Sequence, residues 1–250
     1  MKTKHLVQSD LAIASYSQAV TDQRGILLVD KPTGPTSHDL VDWMRRVSGV
    51  RRVGHTGTLD PLASGLMIML VGREYTKLQD QFLKMDKTYL VTAQLGITSD
   101  SYDITGTVMT KNDNWQNLKK ENFENVVNQF VGQIEQTVPI YSAVKIKGEK
   151  LYDLARRGQA DQVGLPARSV TIYSLKITNF SLPHFTLEVS CSSGTYIRSL
   201  IHDIGQTLGV GAVVTALRRT QISDYSINQA GVCPIFKKRM IAGQTKIENA

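Results

Sequence analysis

The stretch best supplied with residues suited to chemistry is residues 51–65, which read RRVGHTGTLDPLASG. Its one carboxylate, Asp60, precedes Pro61, and this biases the aspartate toward an extended backbone and away from a helix. The glycines around it allow backbone dihedrals closed to other residues and let a ligand approach closely. A carboxylate presented from such a loop could act as a nucleophile or as a general base.

An aspartate in either role needs a partner that controls its ionisation and aim. The segment 193–198, which reads SGTYIR, supplies a candidate. A strand is predicted to end there and a helix to begin, so that Tyr196 and Arg198 project near a sheet edge. An arginine close to Asp60 would hold the carboxylate ionised, because an opposite charge favours the charged form. The residues alone leave open whether the two meet.

These patterns also have structural interpretations. Gly, Asp and Pro dominate turns for conformational reasons, so GHTG and DP could be turn chemistry alone. Arg51 and Arg52, which follow the predicted helix, could favour its C-terminal end electrostatically. They could equally bind phosphates, which arginine matches bidentately, and beside a candidate active-site loop we favour that role.

A glycosidase would need a second carboxylate. Asp100 and Asp103 lie in a turn-rich stretch that predicts solvated loop.

Composition indicates a globular protein with a modest preference for an anionic partner. The 250 residues are 41% hydrophobic and 20% charged, enough for one large domain or two small ones. The net charge of +7 suits a polyanion such as nucleic acid. Cys191 and Cys233 lack metal-binding or disulfide spacing, so we expect reduced thiols in a cytoplasmic protein. No apolar run approaches the length of a membrane span.

Helices and strands alternate without a regular βαβ rhythm, which predicts an α+β fold with a mixed or antiparallel sheet. The helix over 37–47 is predicted to be capped by Ser37. Further helices are predicted at 76–83, 120–131, 149–158 and 197–208. Strands are predicted at 26–29, 66–71, 88–95, 141–146, 169–180 and 185–192, with a last segment at 211–222.

The twelve residues GHTGTLDPLASG closely resemble the catalytic signature of the TruB family of tRNA pseudouridine synthases, with Asp60 at the position of the catalytic residue. Other motifs follow the family's order along residues 25 to 230. They are Asp30-Lys31-Pro32, Lys87-Thr88-Tyr89, Tyr141-Ser142-Ala143-Val144-Lys145, GTYIR at 194–198 and Leu217-Arg218-Arg219.

The resemblance implies roles for individual residues. Arg198 pairs with the catalytic Asp60, Tyr89 stacks on the target base, and Tyr196 and Leu217 line the base pocket.

Two further residues near the signature receive implied roles. Lys31 belongs to an early lysine-proline motif and supports the site. His55 fills the gap that the base vacates or contacts the loop; its alternative is a satisfied turn histidine.

The resemblance also implies a pseudouridine-synthase-like fold, a mixed and mainly antiparallel sheet flanked by helices with a central RNA-binding cleft. The reaction breaks the N1–C1′ bond of uridine, turns the uracil and rejoins it through C5. It consumes no water and involves no redox step, so we expect neither a cofactor nor a metal. Whether Asp60 attacks C1′, attacks C6 or removes the C2′ proton is left open.

We expect an N-terminal extension at 1–24, the catalytic domain at 25–230 and a C-terminal tail at 231–250. The family typically carries a small C-terminal PUA domain, for which this tail is too short. The expected substrate is the T-arm stem-loop of tRNA, bound by a monomer without guide RNA. The rival interpretations are a nucleoside hydrolase, and a non-catalytic RNA-binding module or RNA-folding chaperone that uses GHTG as a backbone clamp.

Overall fold

The structure, a computed structural model, describes residues 13–15, 24–142, 144–146, 148–159 and 164–232. Within them the chain forms two compact units. The first runs up to Met85 and resumes at Arg219, and the second comprises Asp86–Arg218. Most of the predicted N-terminal extension, and the predicted tail from Cys233 onward, lie outside the described residues.

The described helices are α1 (Ser37–Ser48), α2 (Arg73–Thr76), α3 (Gln79–Leu83), α4 (Lys120–Asn128), α5 (Leu151–Arg156) and α6 (Ile197–Thr207). The described strands are β1 (Ile13–Ser15), β2 (Gly25–Lys31), β3 (Val53–His55), β4 (Ala63–Val71), β5 (Lys87–Leu95), β6 (Ile97–Ser99), β7 (Val108–Lys111), β8 (Gly132–Thr137), β9 (Lys145–Ile146), β10 (Glu149–Lys150), β11 (Ala167–Ser181), β12 (His184–Cys191), β13 (Ala212–Ile222), β14 (Tyr225–Ser226) and β15 (Gly231–Val232).

Strand β2 is central to the first unit. Strand β4 pairs with it antiparallel, whereas β1 and β15 pair with it parallel. Strand β3 lies antiparallel to the end of β4. Residues 66–71 are fully buried, as their uninterrupted apolar run predicts. This packed strand anchors the end of the loop that carries Asp60.

The cap of α1 differs from the prediction. Thr36, not Ser37, is the N-cap: its hydroxyl accepts from Asp39 N at 3.1 Å, and the Asp39 carboxylate accepts from Thr36 N at 2.8 Å. This reciprocal capping box satisfies two backbone donors at once. Ser37 is already helical, so its side chain is available for a contact elsewhere in the first unit.

The second unit is built on antiparallel ladders that join β5 to β12, β12 to β11 and β11 to β8. Phe123 of α4 packs against Phe180 and Phe185, with ring centroids 4.8 Å apart in each pair. Mainly antiparallel sheets with packed helices confirm the predicted α+β class. None of the described helices combines the length and apolarity that crossing a bilayer requires.

The predicted strand at 141–146 forms only over β9. The carbonyls of Tyr141 and Ser142 are taken by other partners: Tyr141 O accepts from Arg198, and Ser142 O accepts from Tyr152 N at 3.1 Å. A strand needs these carbonyls for its ladder, so Tyr141 and Ser142 form bends instead.

Candidate active site

Asp60 lies half-buried in the loop between β3 and β4. Its carbonyl accepts from Ala63 N at 3.0 Å and closes a turn. The preceding residue, Leu59, is held by Ser37, whose hydroxyl donates to Leu59 O at 3.0 Å and accepts from Leu59 N at 2.8 Å. The backbone is therefore anchored on both sides of Asp60, and α1 supplies one of the anchors.

A fully buried lysine supports the same turn. Lys31 Nζ donates to Ala63 O at 2.5 Å, to Pro32 O at 3.0 Å and to Asp60 O at 3.2 Å. Burial lowers the pKa of Lys31 from 10.5 to about 8, while the nearby charge of Asp60 opposes that change. The ammonium thus connects the end of β2 to both ends of the Asp60 turn.

The lowered pKa of Lys31 predicts a specific pH dependence of stability. Between pH 8 and 10.5 the unfolded chain binds more protons at this residue than the folded chain, so the free energy of unfolding rises with pH in that window. Relative to Lys31→Met, the wild type should gain up to about 3 kcal/mol across it, since one pKa unit is about 1.4 kcal/mol. Urea unfolding of both proteins across the window measures the difference. A difference that stays constant with pH would contradict the assignment.

Arg219 is a buried residue for which the sequence patterns predict no role. It is 1% exposed, and its guanidinium donates to Leu66 O at 2.7 Å and to Gly57 O at 3.2 Å. A Cβ at Gly65 would lie 2.2 Å from the Arg219 carbonyl oxygen, so this close approach requires glycine. Leu217 and Arg219 are both buried and lie two residues apart on β13. This period-two spacing is the signal that could have identified Arg219.

His55 contacts the same glycine loop. Its Nδ1 accepts from Gly57 N at 3.3 Å. Burial lowers the pKa of His55, and the Arg219 charge lowers it further. His55 is therefore a neutral imidazole at neutral pH whose Nδ1 carries no proton. The turn-histidine alternative accounts for this contact, and a role toward the substrate stays a prediction.

Arg51 and Arg52 are exposed residues between α1 and β3. The backbone there is anchored, because Arg52 O accepts from Gly72 N at 2.8 Å. Earlier in the same basic stretch, Arg45 donates to Asp42 at 2.9 Å on the surface of α1. The first unit thus presents two guanidinium groups from a fixed backbone a few residues before Asp60.

In the second unit, Arg198 is 5% exposed near the start of α6. Its two terminal nitrogens donate to Ser101 O at 2.7 Å and to Tyr141 O at 2.8 Å. Its Nε lies 3.9 Å from Asp103 Oδ2. These partners hold the guanidinium in one orientation. Asp60 belongs to the first unit, and its pairing with Arg198 stays a prediction.

The interpretation of Asp103 as solvated loop is wrong. Asp103 is 5% exposed, and its Oδ1 accepts from Ser101 Oγ at 2.9 Å and from Thr105 N and Oγ1 at 2.9 and 2.6 Å. The neighbouring Asp100 is only half-buried and accepts from the Tyr141 hydroxyl at 3.2 Å. A turn sequence predicts the local bonds of Asp103, but not the buried arginine that the turn packs against.

The three predicted pocket residues of the second unit differ in exposure. Tyr89 on β5 and Leu217 on β13 are each 8% exposed. Tyr196 is half-buried at the N-cap of α6, and the Arg168 guanidinium carbon lies 5.9 Å from its ring centroid. Strand β13 neighbours β5, where Thr215 Oγ1 donates to Thr92 O at 3.1 Å. Aromatic and apolar side chains are thus available on adjoining strands and at a helix start.

Two family models that match adjoining parts of the chain both belong to the TruB family. The model of the TruB family pseudouridylate synthase N-terminal domain matches residues 45–197, and the model of the tRNA pseudouridylate synthase B C-terminal domain matches residues 198–233. Among solved structures, a chain from "Crystal Structure of a Cbf5-Nop10-Gar1 Complex" superposes with a TM-score of 0.65 at 27% identity. That match covers 90% of this chain and 57% of the solved chain.

Curated relatives are more similar in sequence. The tRNA pseudouridine synthase B of Chlamydia felis is 43% identical over 211 residues, which is 83% of this chain and 86% of the relative. The protein of the same name from Caldicellulosiruptor saccharolyticus is 44% identical over 206 residues, 82% of this chain and 70% of the relative. With a family model across more than half of its length and relatives of this similarity, the chain belongs to the TruB family of pseudouridylate synthases.

Proposed function

We propose that this protein isomerises a uridine in the T-arm loop of tRNA to pseudouridine, with Asp60 as the catalytic residue. The observation that carries the proposal is the Asp60 loop itself. It lies within the matched residues 45–197. The buried cations Lys31 and Arg219 donate hydrogen bonds to its backbone carbonyls. Preorganised groups around a reacting carboxylate are what an active site requires.

The chemistry needs an ionised carboxylate beside an everted base. Asp60 attacks C1′ or C6, or removes the C2′ proton, while the N1–C1′ bond breaks. The uracil then turns and a bond forms between C1′ and C5, while any bond to Asp60 is released. The proton on C5 is lost to solvent, and N1 takes up a proton in its place. The reaction is an isomerisation, so it consumes no second substrate and regenerates the protein. Arg198, held by backbone carbonyls and Asp103, keeps the carboxylate charged in this proposal.

The target base has to leave its stack before it can react, and this costs a few kcal/mol. Tyr89 and Tyr196 offer aromatic faces, and stacking on such faces contributes about 1–3 kcal/mol per base. Leu217 adds apolar contact to the pocket, and His55 contacts the loop or the gap that the base leaves. These side chains therefore offset the cost of eversion.

We expect Arg51 and Arg52 to act through phosphates rather than bases. Each alanine substitution should weaken tRNA binding and reduce the slope of log affinity against log salt concentration by about one, because one fewer counterion is released. Filter binding at a series of salt concentrations measures the slope. Arg157→Ala is a matched control, since Arg157 is exposed and pairs with Glu149. If the slope is unchanged in Arg51→Ala and in Arg52→Ala, these two arginines do not contact RNA phosphates.

The reaction is tested with tRNA that carries tritium at C5 of uracil. Isomerisation releases tritium to water because C5 exchanges its hydrogen for the bond to C1′. A nucleoside hydrolase would instead liberate free uracil, and a pure RNA-binding module or chaperone would do neither. We expect tritium release without free uracil, and restriction of the substrate to the isolated T-arm stem-loop tests the proposed target.

We further propose that the protein acts in the cytoplasm as a monomer, without guide RNA. The support for action without guide RNA is the identity of 43% to a protein named tRNA pseudouridine synthase B, against 27% to a chain solved in a Cbf5-Nop10-Gar1 complex. Turnover by the purified protein alone on a transcript of the T-arm would support this. A requirement for added RNA or protein would contradict it.

A further inference from the structure

A buried glutamine holds the backbone of Tyr196. Gln136 lies on β8 and is 1% exposed. Tyr196 N donates to Gln136 Oε1 at 2.7 Å, and Gln136 Nε2 donates to Tyr196 O at 3.0 Å. The two bonds together define the orientation of the amide, because a reversed amide would place donor against donor and acceptor against acceptor.

This contact supplies the bond that a capping box would make locally. Tyr196 is the N-cap residue of α6, and its own side chain makes no capping hydrogen bond. In a capping box the side chain of the third helical residue accepts from the backbone N–H of the N-cap residue. Here the acceptor comes from a residue 60 positions earlier in the chain. The place of Tyr196 is therefore set relative to β8 and not by the loop before α6.

Arg168 lies directly across the ladder from Gln136. The two are paired in the antiparallel register of β11 and β8, so their side chains are on the same face. The Arg168 guanidinium carbon is 5.9 Å from the Tyr196 ring centroid, within the range of a cation–π contact. Gln136, which is buried, thus contacts the backbone of Tyr196, and Arg168, which is exposed, contacts its ring.

We propose that Gln136 and Arg168 are positioning residues that set Tyr196 for the everted base, Gln136 through the backbone and Arg168 through the ring. The inference rests on the proposed function, in which Tyr196 lines the base pocket. A misplacement of about 1 Å at a reacting group can slow a reaction by about 10²-fold. Small changes at position 136 or 168 should therefore alter turnover measurably without altering tRNA affinity.

Gln136→Glu tests the backbone bond. A carboxylate still accepts from Tyr196 N but repels Tyr196 O, whereas a protonated carboxyl donates to Tyr196 O as the amide does. Burial should raise the pKa of a carboxyl at this position, and the positive charge of Arg168 across the ladder opposes that shift. We expect kcat about tenfold below wild type near pH 8, and a ratio of variant to wild type that rises as the pH falls toward about 5. KM should stay within about twofold.

Gln133→Glu is the matched control for that experiment. Gln133 lies on the same strand, is exposed, and donates to the Ser169 hydroxyl at 2.7 Å. Because a hydroxyl can either donate or accept, the glutamate is tolerated there and its ratio to wild type should be independent of pH. If Gln136→Glu gives the same pH-independent ratio, Gln136 does not act through the Tyr196 carbonyl and its part of the proposal is wrong.

A double-mutant cycle tests Arg168 independently of whether the first variant folds. If Arg168 acts through the ring, Arg168→Met should lower kcat about threefold to tenfold in the wild type and have no effect in Tyr196→Leu. If Arg168 instead binds a phosphate, its loss should be equal in both backgrounds and should reduce the salt slope of binding. That second result would overturn the role of Arg168.

Different results contradict the proposed function and the positioning roles of Gln136 and Arg168. A wild type that releases no tritium, or a Tyr196→Leu variant with wild-type kcat, contradicts the proposed function or the pocket role of Tyr196. An active wild type with an impaired Tyr196→Leu variant leaves both in place. Any failure at Gln136 or Arg168 then counts against the positioning roles alone.

Discussion

Asp60→Asn is expected to abolish tritium release from tRNA while tRNA binding stays close to wild type. Loss of a residue essential to the chemistry lowers kcat on the order of 10⁴-fold. The Asp60 backbone carbonyl accepts from Lys31 Nζ and from Ala63 N, and an isosteric amide at the side chain leaves both bonds intact. The asparagine removes the charge and the basicity of the side chain.

Single-turnover tritium release and filter binding measure the two quantities separately. Asp224→Asn is the matched control, because Asp224 is an exposed aspartate in the turn that precedes β14 of the first unit. The control should retain wild-type kcat and KM. An Asp60→Asn variant with wild-type turnover would show that another group performs the chemistry.

Arg198→Met should have the second-largest effect, on both stability and activity. The guanidinium is 5% exposed and lies against Asp103, which is equally buried. Removal of one partner leaves a buried charge uncompensated, and this typically destabilises a protein by about 3–5 kcal/mol. If Arg198 also keeps Asp60 ionised, kcat should fall by about 10²-fold or more in the fraction that remains folded.

A second substitution separates these two effects. Asp103→Asn keeps an oxygen for Ser101 and Thr105 but removes the charge, so adding it to Arg198→Met should restore much of the lost stability. It should not restore turnover, because the partner of Asp60 is still missing. Urea unfolding and tritium release measure both quantities. Recovery of turnover together with stability would confine Arg198 to a structural role.

Arg157→Met is the control for charge removal on the surface. Arg157 and its partner Glu149 are both exposed, with about half of each side chain accessible to solvent. An exposed ion pair contributes roughly 0–1 kcal/mol, so this variant should unfold within that range of the wild type and retain full turnover. If Arg198→Met and Arg157→Met lose similar stability, the buried Arg198–Asp103 pair contributes no more to folding than an exposed ion pair.

Local patterns were sufficient for the elements whose signals lie within a few residues. The apolar run at 66–71 predicted a buried strand, and the structure confirms it. The α+β class follows from the same kind of periodicity. The cap of α1 was misplaced by one residue, because serine is intrinsically the better N-cap and this favours Ser37 over Thr36. The capping box between Thr36 and Asp39 favours Thr36, and the Ser37 hydroxyl bonds to Leu59 instead, a contact that local sequence does not predict.

The sequence by itself determined the candidate chemistry of this protein, through the type and order of the residues around Asp60 and the turn-forming residues that keep that loop out of a helix. The tertiary structure alone decided which polar side chains are buried. Lys31 bonds to Ala63 from 32 residues away, Arg198 to Ser101 from 97, and Arg219 to Leu66 from 153. Propensity and periodicity act within one element, whereas these partners meet only when distant strands and helices pack. Sequence patterns assign a polar side chain to the surface. Packing can instead bury it, replacing its bound water by a hydrogen-bonding partner in the protein.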